Sequence, residues 1–154
     1  MFERILVPTD GGEEAGPVIE KAVDIANRYG ATIEAVYVAD QRIEEIVPED
    51  AKHAVLNAMR DEGEDATGAI ERVAADRGVT INTVVRQGIP HQSILQHAVE
   101  HDVDLIVMGT HGRTGLERQI IGSVAERIVR LSPVPVMTVP LERQTEEEPD
   151  RSFA

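Results

Sequence analysis

"VDLIVMGTHGRTGLERQIIGS", residues 103–123, runs from an apolar, β-branched segment through a glycine-rich segment into an amphipathic one. The apolar segment, 103–109, predicts a buried strand. Beyond the glycines, apolar residues recur every three or four positions, which predicts a helix. The glycines in between suit either a flexible turn or a backbone cradle for phosphate, and the rest of the chain must distinguish the two. Four residues of the predicted helix are expected to form one buried stripe: Ile121, Val124, Ile128 and Leu131.

The same alternation of strand and helix patterns continues over most of the chain. Helical spacing of apolar residues covers about 13–29, 49–77 and 90–101, although Gly63 and Gly68 leave open a bend or break in the second helix. Strands separated by helices imply right-handed crossovers and a mostly parallel sheet covered on both faces, so the expected fold class is α/β. The expected strands are 4–9, 32–38, 80–85, 103–109 and 133–140.

Length and composition limit the kinds of protein that this chain can be. Its 154 residues suit one domain, expected over 1–140, followed by an acidic, mobile tail over 141–154 that lacks periodicity. The absence of cysteine excludes disulfides, thiolate zinc sites and cysteine nucleophiles. The N-terminal residues lack the pattern of a signal peptide, and no apolar run reaches the roughly 18 residues of a membrane span. We therefore expect a cytoplasmic protein with no membrane partner.

The charge of the chain also narrows its partners. A net charge of −13 argues against nucleic-acid binding, which depends on lysine and arginine neutralising phosphates. Two lysines accompany thirteen arginines and 28 acidic residues. This bias resembles halophilic proteins, whose acidic surfaces keep them soluble while salt screens self-repulsion; an acidic protein of an ordinary cytoplasm is the alternative. The halophilic interpretation predicts that stability rises between low and molar KCl.

Two predicted strand ends have the composition of a ligand site. Open parallel sheets bind ligands at the carboxyl ends of their strands, where the strand order reverses. The first strand exits into "PTDGG", residues 8–12, and the fourth exits into the glycine-rich segment. Glycine lets main-chain N–H groups approach an anion, and a helix start adds a partial positive charge. Residues 109–130 carry a formal charge of +2, against −15 for the remainder, so an anion is favoured there. Neither a P-loop motif nor a G-x-G-x-x-G motif is present.

The glycine spacing carries a resemblance to a known family. Gly109, Gly112, Gly122 and Ser123 match G-x2-G-x9-G-[ST], the pattern that nucleotide-binding universal stress proteins carry after their fourth strand. The chain resembles that family over about residues 2–140. The chain departs from the family at Gly12, where the family usually has serine. Without the serine hydroxyl the first helix lacks a possible N-terminal cap, but the phosphate motif is not affected. The other resembling segments are "ILVPTDGG" (5–12), "GIPHQSI" (88–94) and "SPVPVMTV" (132–139).

The resemblance implies an open five-stranded parallel sheet of order 3-2-1-4-5, similar to adenine nucleotide alpha hydrolases. It also implies ATP, alone or with Mg²⁺, in the crevice between the first and fourth strands, and a homodimer paired through the last strand, Val134 to Val139. By position, the residues near adenine and ribose are Pro8, Thr9, Asp10 and Val38. Those along the ribose and phosphates are Met108, Gly109, Gly112, Gly122, Ser123 and Val124, with His111 and Arg113 beside them.

The implied function is that of a nucleotide-responsive stress regulator rather than a fast enzyme. No dedicated general base is evident, although Asp10 with Mg²⁺ could support slow ATP hydrolysis. A dimeric adaptor of the same fold that holds no nucleotide is the alternative, but adaptors of that kind typically lack the glycine motif. An adenylating ligase is a third candidate, and a chain of this length has little room for the acceptor-substrate domain that it needs.

Two further groups of residues resemble enzyme active sites. "HAVEH", residues 97–101, matches the H-x-x-E-H pattern of zinc proteases. The chain is short for such an enzyme, no third ligand is evident, and pairs of exposed helix histidines are common, so we expect no metal site. A triad of Ser123, His111 and Asp10 lacks the G-x-S-x-G turn of serine hydrolases, which favours Ser123 as a phosphate ligand or helix cap. No catalytic residue is therefore predicted.

Overall fold

A five-stranded sheet forms the centre of the molecule. The structure, a computed structural model, describes residues 1–12, 15–110 and 122–140, and the strand count refers to those ranges. The strands are β1 (Arg4–Thr9), β2 (Thr32–Asp40), β3 (Ile81–Gly88), β4 (Leu105–Gly109) and β5 (Val136–Val139). They lie in the order β3-β2-β1-β4-β5, and each neighbouring pair is parallel. The predicted α/β class and the strand order 3-2-1-4-5 are confirmed.

Helices connect the strands within the described ranges. They are α1 (Gly16–Tyr29), α2 (Lys52–Asp76), α3 (Pro90–Glu100) and α4 (Ser123–Leu131). Two 3-10 turns, Gln41–Glu45 and Glu49–Ala51, lead from β2 into α2. α1 begins later than the predicted position 13, because Pro17 lies in its first turn, where the missing N–H costs no helix bond. Among the described helices, none has both the length and the apolar character that a bilayer crossing requires.

The helices cover the two faces of the sheet in pairs. Ile5 and Ile33 belong to the core that α1 and α2 complete, whereas Leu6 and Val36 belong to the core under α3 and α4. Neighbouring strand residues alternate between the faces, as the pleat of a strand dictates. The pairing of helices follows from right-handed crossovers, because the chain moves one way across the sheet from β1 to β3 and the other way from β3 through β4 to β5.

α2 continues through both of its internal glycines. Gly63 is buried, and a Cβ placed on it would lie 2.6 Å from Cδ1 of Tyr37 and 3.0 Å from Cγ2 of Val85. The missing side chain therefore lets the helix approach β2 and β3 closely. The hydroxyl of Thr67, one turn further along, donates to the Gly63 carbonyl oxygen at 2.9 Å.

β5 is an edge strand with little cover. Met137 is 36% exposed, and Leu131 in the last turn of α4 is 51% exposed. The predicted buried stripe on α4 is therefore wrong at Leu131, because no described element lies over that turn. Two other members agree with the prediction, since Ile128 is fully buried and Val124 packs partly on the core. Ile121 and the predicted tail, 141–154, lie outside the described residues, so the boundary at 140 stays a prediction.

Candidate functional site

The sheet opens at its carboxyl end between β1 and β4. The registered pairs of these two strands are Ile5 with Leu105 and Leu6 with Ile106. Beyond them, β1 stays paired with β2 as far as Thr9, and β4 stays paired with β5 as far as Gly109. The strands thus diverge where the strand order reverses, which is the place where open parallel sheets form a ligand crevice.

One wall of the crevice is the turn after β1. The backbone N–H of Gly12 donates to Oδ1 of Asp10 at 3.0 Å, and that of Gly11 donates to Oγ1 of Thr9 at 3.3 Å. Gly11 has φ +84°, a left-handed conformation that side chains other than hydrogen rarely adopt. These contacts hold the turn in shape and leave Asp10 exposed at the mouth of the crevice.

The other wall joins the end of β4 to the start of α4. The N–H of Gly122 donates to the carbonyl oxygen of Thr110 at 2.7 Å, which ties the helix start to the strand end. The first bond of the helix runs from the N–H of Glu126 to the carbonyl oxygen of Gly122 at 2.9 Å. The amides of residues 123–125 precede that bond and form the electropositive end of α4. A helix start of this kind favours an anion.

The structure gathers the described members of the predicted site at this carboxyl edge. They lie at the end of β1, near the end of β2, at the end of β4 and at the start of α4. Their roles toward a ligand stay predictions, and His111, Gly112 and Arg113 lie outside the described residues. The described members are Pro8, Thr9, Asp10, Val38, Met108, Gly109, Gly122, Ser123 and Val124.

Sequence reasoning missed one carboxylate beside the β1 turn. A Cβ placed on Gly11 would lie 3.1 Å from Oε1 of Glu62, a residue of α2. The hydroxyl of Tyr37 donates to Oε2 of Glu62 at 3.1 Å and orients this side chain. About fifty residues separate Glu62 from the turn, so no local pattern indicates the contact. Glu62 thus adds a carboxylate beside the β1 turn.

Basic side chains accumulate at the same carboxyl edge. The pKa of His91, in the first turn of α3, is lowered by burial and then by the positive charges of Arg127, Arg42 and Arg130. Arg42 also donates from Nε to Oδ1 of Asp40 at 2.9 Å, and this bond holds the pKa of Asp40 below its ordinary value. Of the residues 109–130 predicted to carry a positive balance, Arg127 and Arg130 are described here, and Arg130 donates from Nε to Oε1 of Glu126 at 2.9 Å, which offsets its charge.

The "HAVEH" segment lies away from the crevice, at the end of α3. His97 is 1% exposed, so the expected pair of exposed histidines is wrong at this position. Burial lowers the pKa of His97, and the neighbouring His101 lowers it further. Glu100, the acidic residue of the pattern, is exposed and accepts a hydrogen bond from Gln96 at 2.9 Å. Nε2 of His97 lies 3.7 Å from Oε1 of Glu34 of β2.

Comparison with known proteins identifies relatives over almost the whole chain. The model of the universal stress protein family matches residues 1–140. Universal stress protein MJ0531 of Methanocaldococcus jannaschii is 34% identical over 140 residues, covering 90% of this chain and 82% of that protein. The solved structure of MJ0577, a universal stress protein of the same organism, superposes with a TM-score of 0.81 at 28% identity, covering 93% and 99% of the two chains. A universal stress protein crystallised in complex with cAMP superposes with a TM-score of 0.63 at 27% identity, covering 90% and 97%.

Proposed function

This chain belongs to the universal stress protein family, and from that premise we propose that it binds an adenine nucleotide, in the first place ATP, between β1 and β4. The observation that carries the proposal is the divergence of these strands after Leu6 and Ile106, with the start of α4 tied to Thr110 beside the gap. A crevice at the reversal of strand order and a helix N-terminus are both features of phosphate sites.

Each part of the nucleotide has a complementary wall. The phosphates, with or without Mg²⁺, lie along Gly109 and the amides that follow Gly122, where the helix dipole offsets their charge. Adenine and ribose lie toward Asp10 and Val38, away from the helix start. The complex of a related universal stress protein with cAMP supports an adenine nucleotide as the ligand class.

The proposed role is regulatory, with at most slow ATP hydrolysis. Oδ1 of Asp10 already accepts the Gly12 amide and helps to form the turn, so this carboxylate is poorly placed as a dedicated base. Nucleotide binding at the start of α4 affects a helix that also borders the exposed edge of the sheet. A partner that contacts this edge can therefore distinguish the loaded protein from the empty one.

The nucleotide content of the purified protein tests the proposed function. We expect denaturation to release ATP or another adenine nucleotide in an amount approaching one per chain, identified by mass spectrometry. A chain that releases none and also takes up none from saturating ATP and Mg²⁺ contradicts the proposal. That outcome favours the alternative function, a nucleotide-free dimeric adaptor.

A homodimer through β5 is a second part of the proposal. The strand lies at the edge of the described sheet, and exposed apolar edges of this kind pair with other strands unless they are covered. Sedimentation at micromolar concentration is expected to show a dimer in molar KCl, the condition that the halophilic interpretation favours. Met137→Lys should shift the protein toward the monomer, whereas Ile46→Lys, at an 82% exposed residue outside the strand, should not. A monomeric wild-type chain would contradict this part.

A further inference from the structure

Glu34, His97 and His101 form a cluster on the face of the sheet that α3 covers. One potential ligand atom from each residue lies within 4.8 Å of the other two. Glu34 is 2% exposed and His97 is 1% exposed, while His101 is partly exposed and borders the solvent. The three side chains therefore surround a buried point that is accessible from one side.

Two atoms of this cluster are buried without hydrogen-bond partners in the described part of the chain. They are Oε2 of Glu34 and Nε2 of His97. The nearest approach of the two side chains, from Nε2 of His97 to Oε1 of Glu34, is 3.7 Å, which is too long for a hydrogen bond. Buried polar atoms without partners are costly, and a buried carboxylate requires a compensating positive charge. A bound cation would satisfy both atoms.

We propose that Glu34, His97 and His101 bind a divalent transition metal of the zinc class, with water as the remaining ligand. Two histidines and a carboxylate are a known ligand set for zinc. Tetrahedral geometry with bonds of about 2.0–2.1 Å separates neighbouring ligand atoms by about 3.3 Å. The 3.7 Å between His97 and Glu34 exceeds that separation by a few tenths of an ångström, and all three ligand atoms lie within 4.8 Å of one another, so metal binding has to draw the side chains together.

The hydrogen bonds of His101 prepare it as a ligand. Its Nδ1 lies 3.1 Å from the carbonyl oxygen of His97. A carbonyl only accepts, so Nδ1 carries the proton and Nε2 keeps the lone pair that a metal requires. The two imidazole rings stack with their centroids 3.9 Å apart and an angle of 13° between their planes. The in-plane lone pairs of parallel rings do not converge, so binding of one metal by both rings requires them to turn out of this stack.

Arg86 competes with the metal for His97. Its Nη1 lies 3.2 Å from Nδ1 of His97, and because a guanidinium only donates, the proton of the neutral ring lies on Nε2. A metal at Nε2 requires that proton to move to Nδ1, which then repels the guanidinium. Arg86 has another acceptor within reach, since Oε2 of Glu100 lies 3.4 Å from Nη1. Removal of Arg86 should therefore strengthen metal binding.

The metal site is separate from the nucleotide crevice. Glu34 lies four residues before Val38, the β2 residue assigned to the adenine and ribose side of the crevice, a distance of roughly 13 Å along an extended strand. His97 and His101 lie at the C-terminal end of α3, whereas the crevice lies at the carboxyl edge where α3 begins. Metal binding can therefore be measured in nucleotide-free protein, and its outcome does not depend on the proposed function.

Titration of tag-free, nucleotide-free protein with Co²⁺ and Zn²⁺ tests the proposal. We expect one Co²⁺ per chain with the visible absorption of a tetrahedral site, and its displacement by one Zn²⁺. Loss of a residue that only hydrogen-bonds to a metal ligand already weakens metal binding about ten- to a hundredfold. Glu34→Gln and His101→Ala should therefore each weaken Zn²⁺ binding at least about tenfold. Arg86→Gln should strengthen it. His53→Ala, at an exposed histidine of α2, is the matched control and should leave the affinity unchanged.

Circular dichroism separates loss of binding from loss of folding, and His101→Ala at a partly exposed position is the variant expected to fold in any case. Absence of stoichiometric Co²⁺ and Zn²⁺ binding by the wild-type chain would overturn the proposal. Binding that survives in a folded His101→Ala variant, or that is lost in His53→Ala instead, would also overturn it, because the metal would then lie elsewhere.

Discussion

Gly63→Ala is expected to destabilise the protein by about 1–2 kcal/mol, although alanine is the better helix former. Alanine in place of a helical glycine contributes about 1 kcal/mol of stability. At Gly63 the added Cβ meets the ring of Tyr37 at 2.6 Å and the side chain of Val85 at 3.0 Å. Overpacking of this severity costs about 1–3 kcal/mol or more, and the ring cannot easily withdraw, because it is buried and its hydroxyl is bonded to Glu62. Thermal or urea unfolding measures the effect.

Gly68→Ala is the matched control, five residues along the same helix. A Cβ there has Arg72 Nη1 at 3.7 Å as its nearest neighbour, an ordinary contact with the end of a flexible side chain. The helix-propensity gain should therefore appear, as an increase of about 0.5–1 kcal/mol in the free energy of unfolding. Equal effects of the two substitutions would show that α2 does not pack against β2 and β3 through Gly63.

Gly122→Val is expected to weaken ATP binding by at least about a hundredfold, or about 2.7 kcal/mol. Gly122 caps α4 immediately before the free amides of the helix start, and its own N–H is bonded to Thr110. A branched side chain at this position occupies the space through which phosphate must approach. The backbone of Gly122 has φ −60° and ψ 156°, a conformation open to any residue, so the fold should survive.

Calorimetric titration with ATP measures this loss, and Gly68→Val is the control for an added branched side chain elsewhere. Gly68 lies on α2, where the space beside it is open, so the affinity of that variant should equal that of the wild type. Unchanged affinity in Gly122→Val would mean that the phosphates lie elsewhere.

The elements that could be predicted from the sequence are those defined by local patterns. The β-branched run over 4–9 matches β1, because a central strand buried on both faces has few alternatives to an apolar sequence. β5 is shorter than the predicted 133–140, since prolines interrupt its pattern at Pro133 and Pro135 and remove ladder donors. The close packing of α2 at Gly63 depends on the ring of Tyr37, which no pattern within the helix indicates.

In the candidate site, too, the features with local sequence patterns could be predicted, and the contacts between distant residues could not. The turn after β1 and the start of α4 were predictable because glycine and aspartate have local conformational signatures. Glu62 and Glu34 were missed, since each acts through contacts with residues far along the chain. Glu34 was missed for a second reason, because an acidic residue within a strand pattern suggests exposure, and only the packing of α3 on β2 shows that it is buried against His97.

Titration of the isotopically labelled protein with ATP and Mg²⁺, followed by its backbone amide chemical shifts, tests the nucleotide crevice most directly. The shifts are expected to concentrate at the β1 turn, at Gly109 and at the first turn of α4, and to saturate at one nucleotide per chain. Amides that stay unchanged at saturating ATP, or shifts confined to β3 and the outer side of α2, would contradict a nucleotide site between β1 and β4.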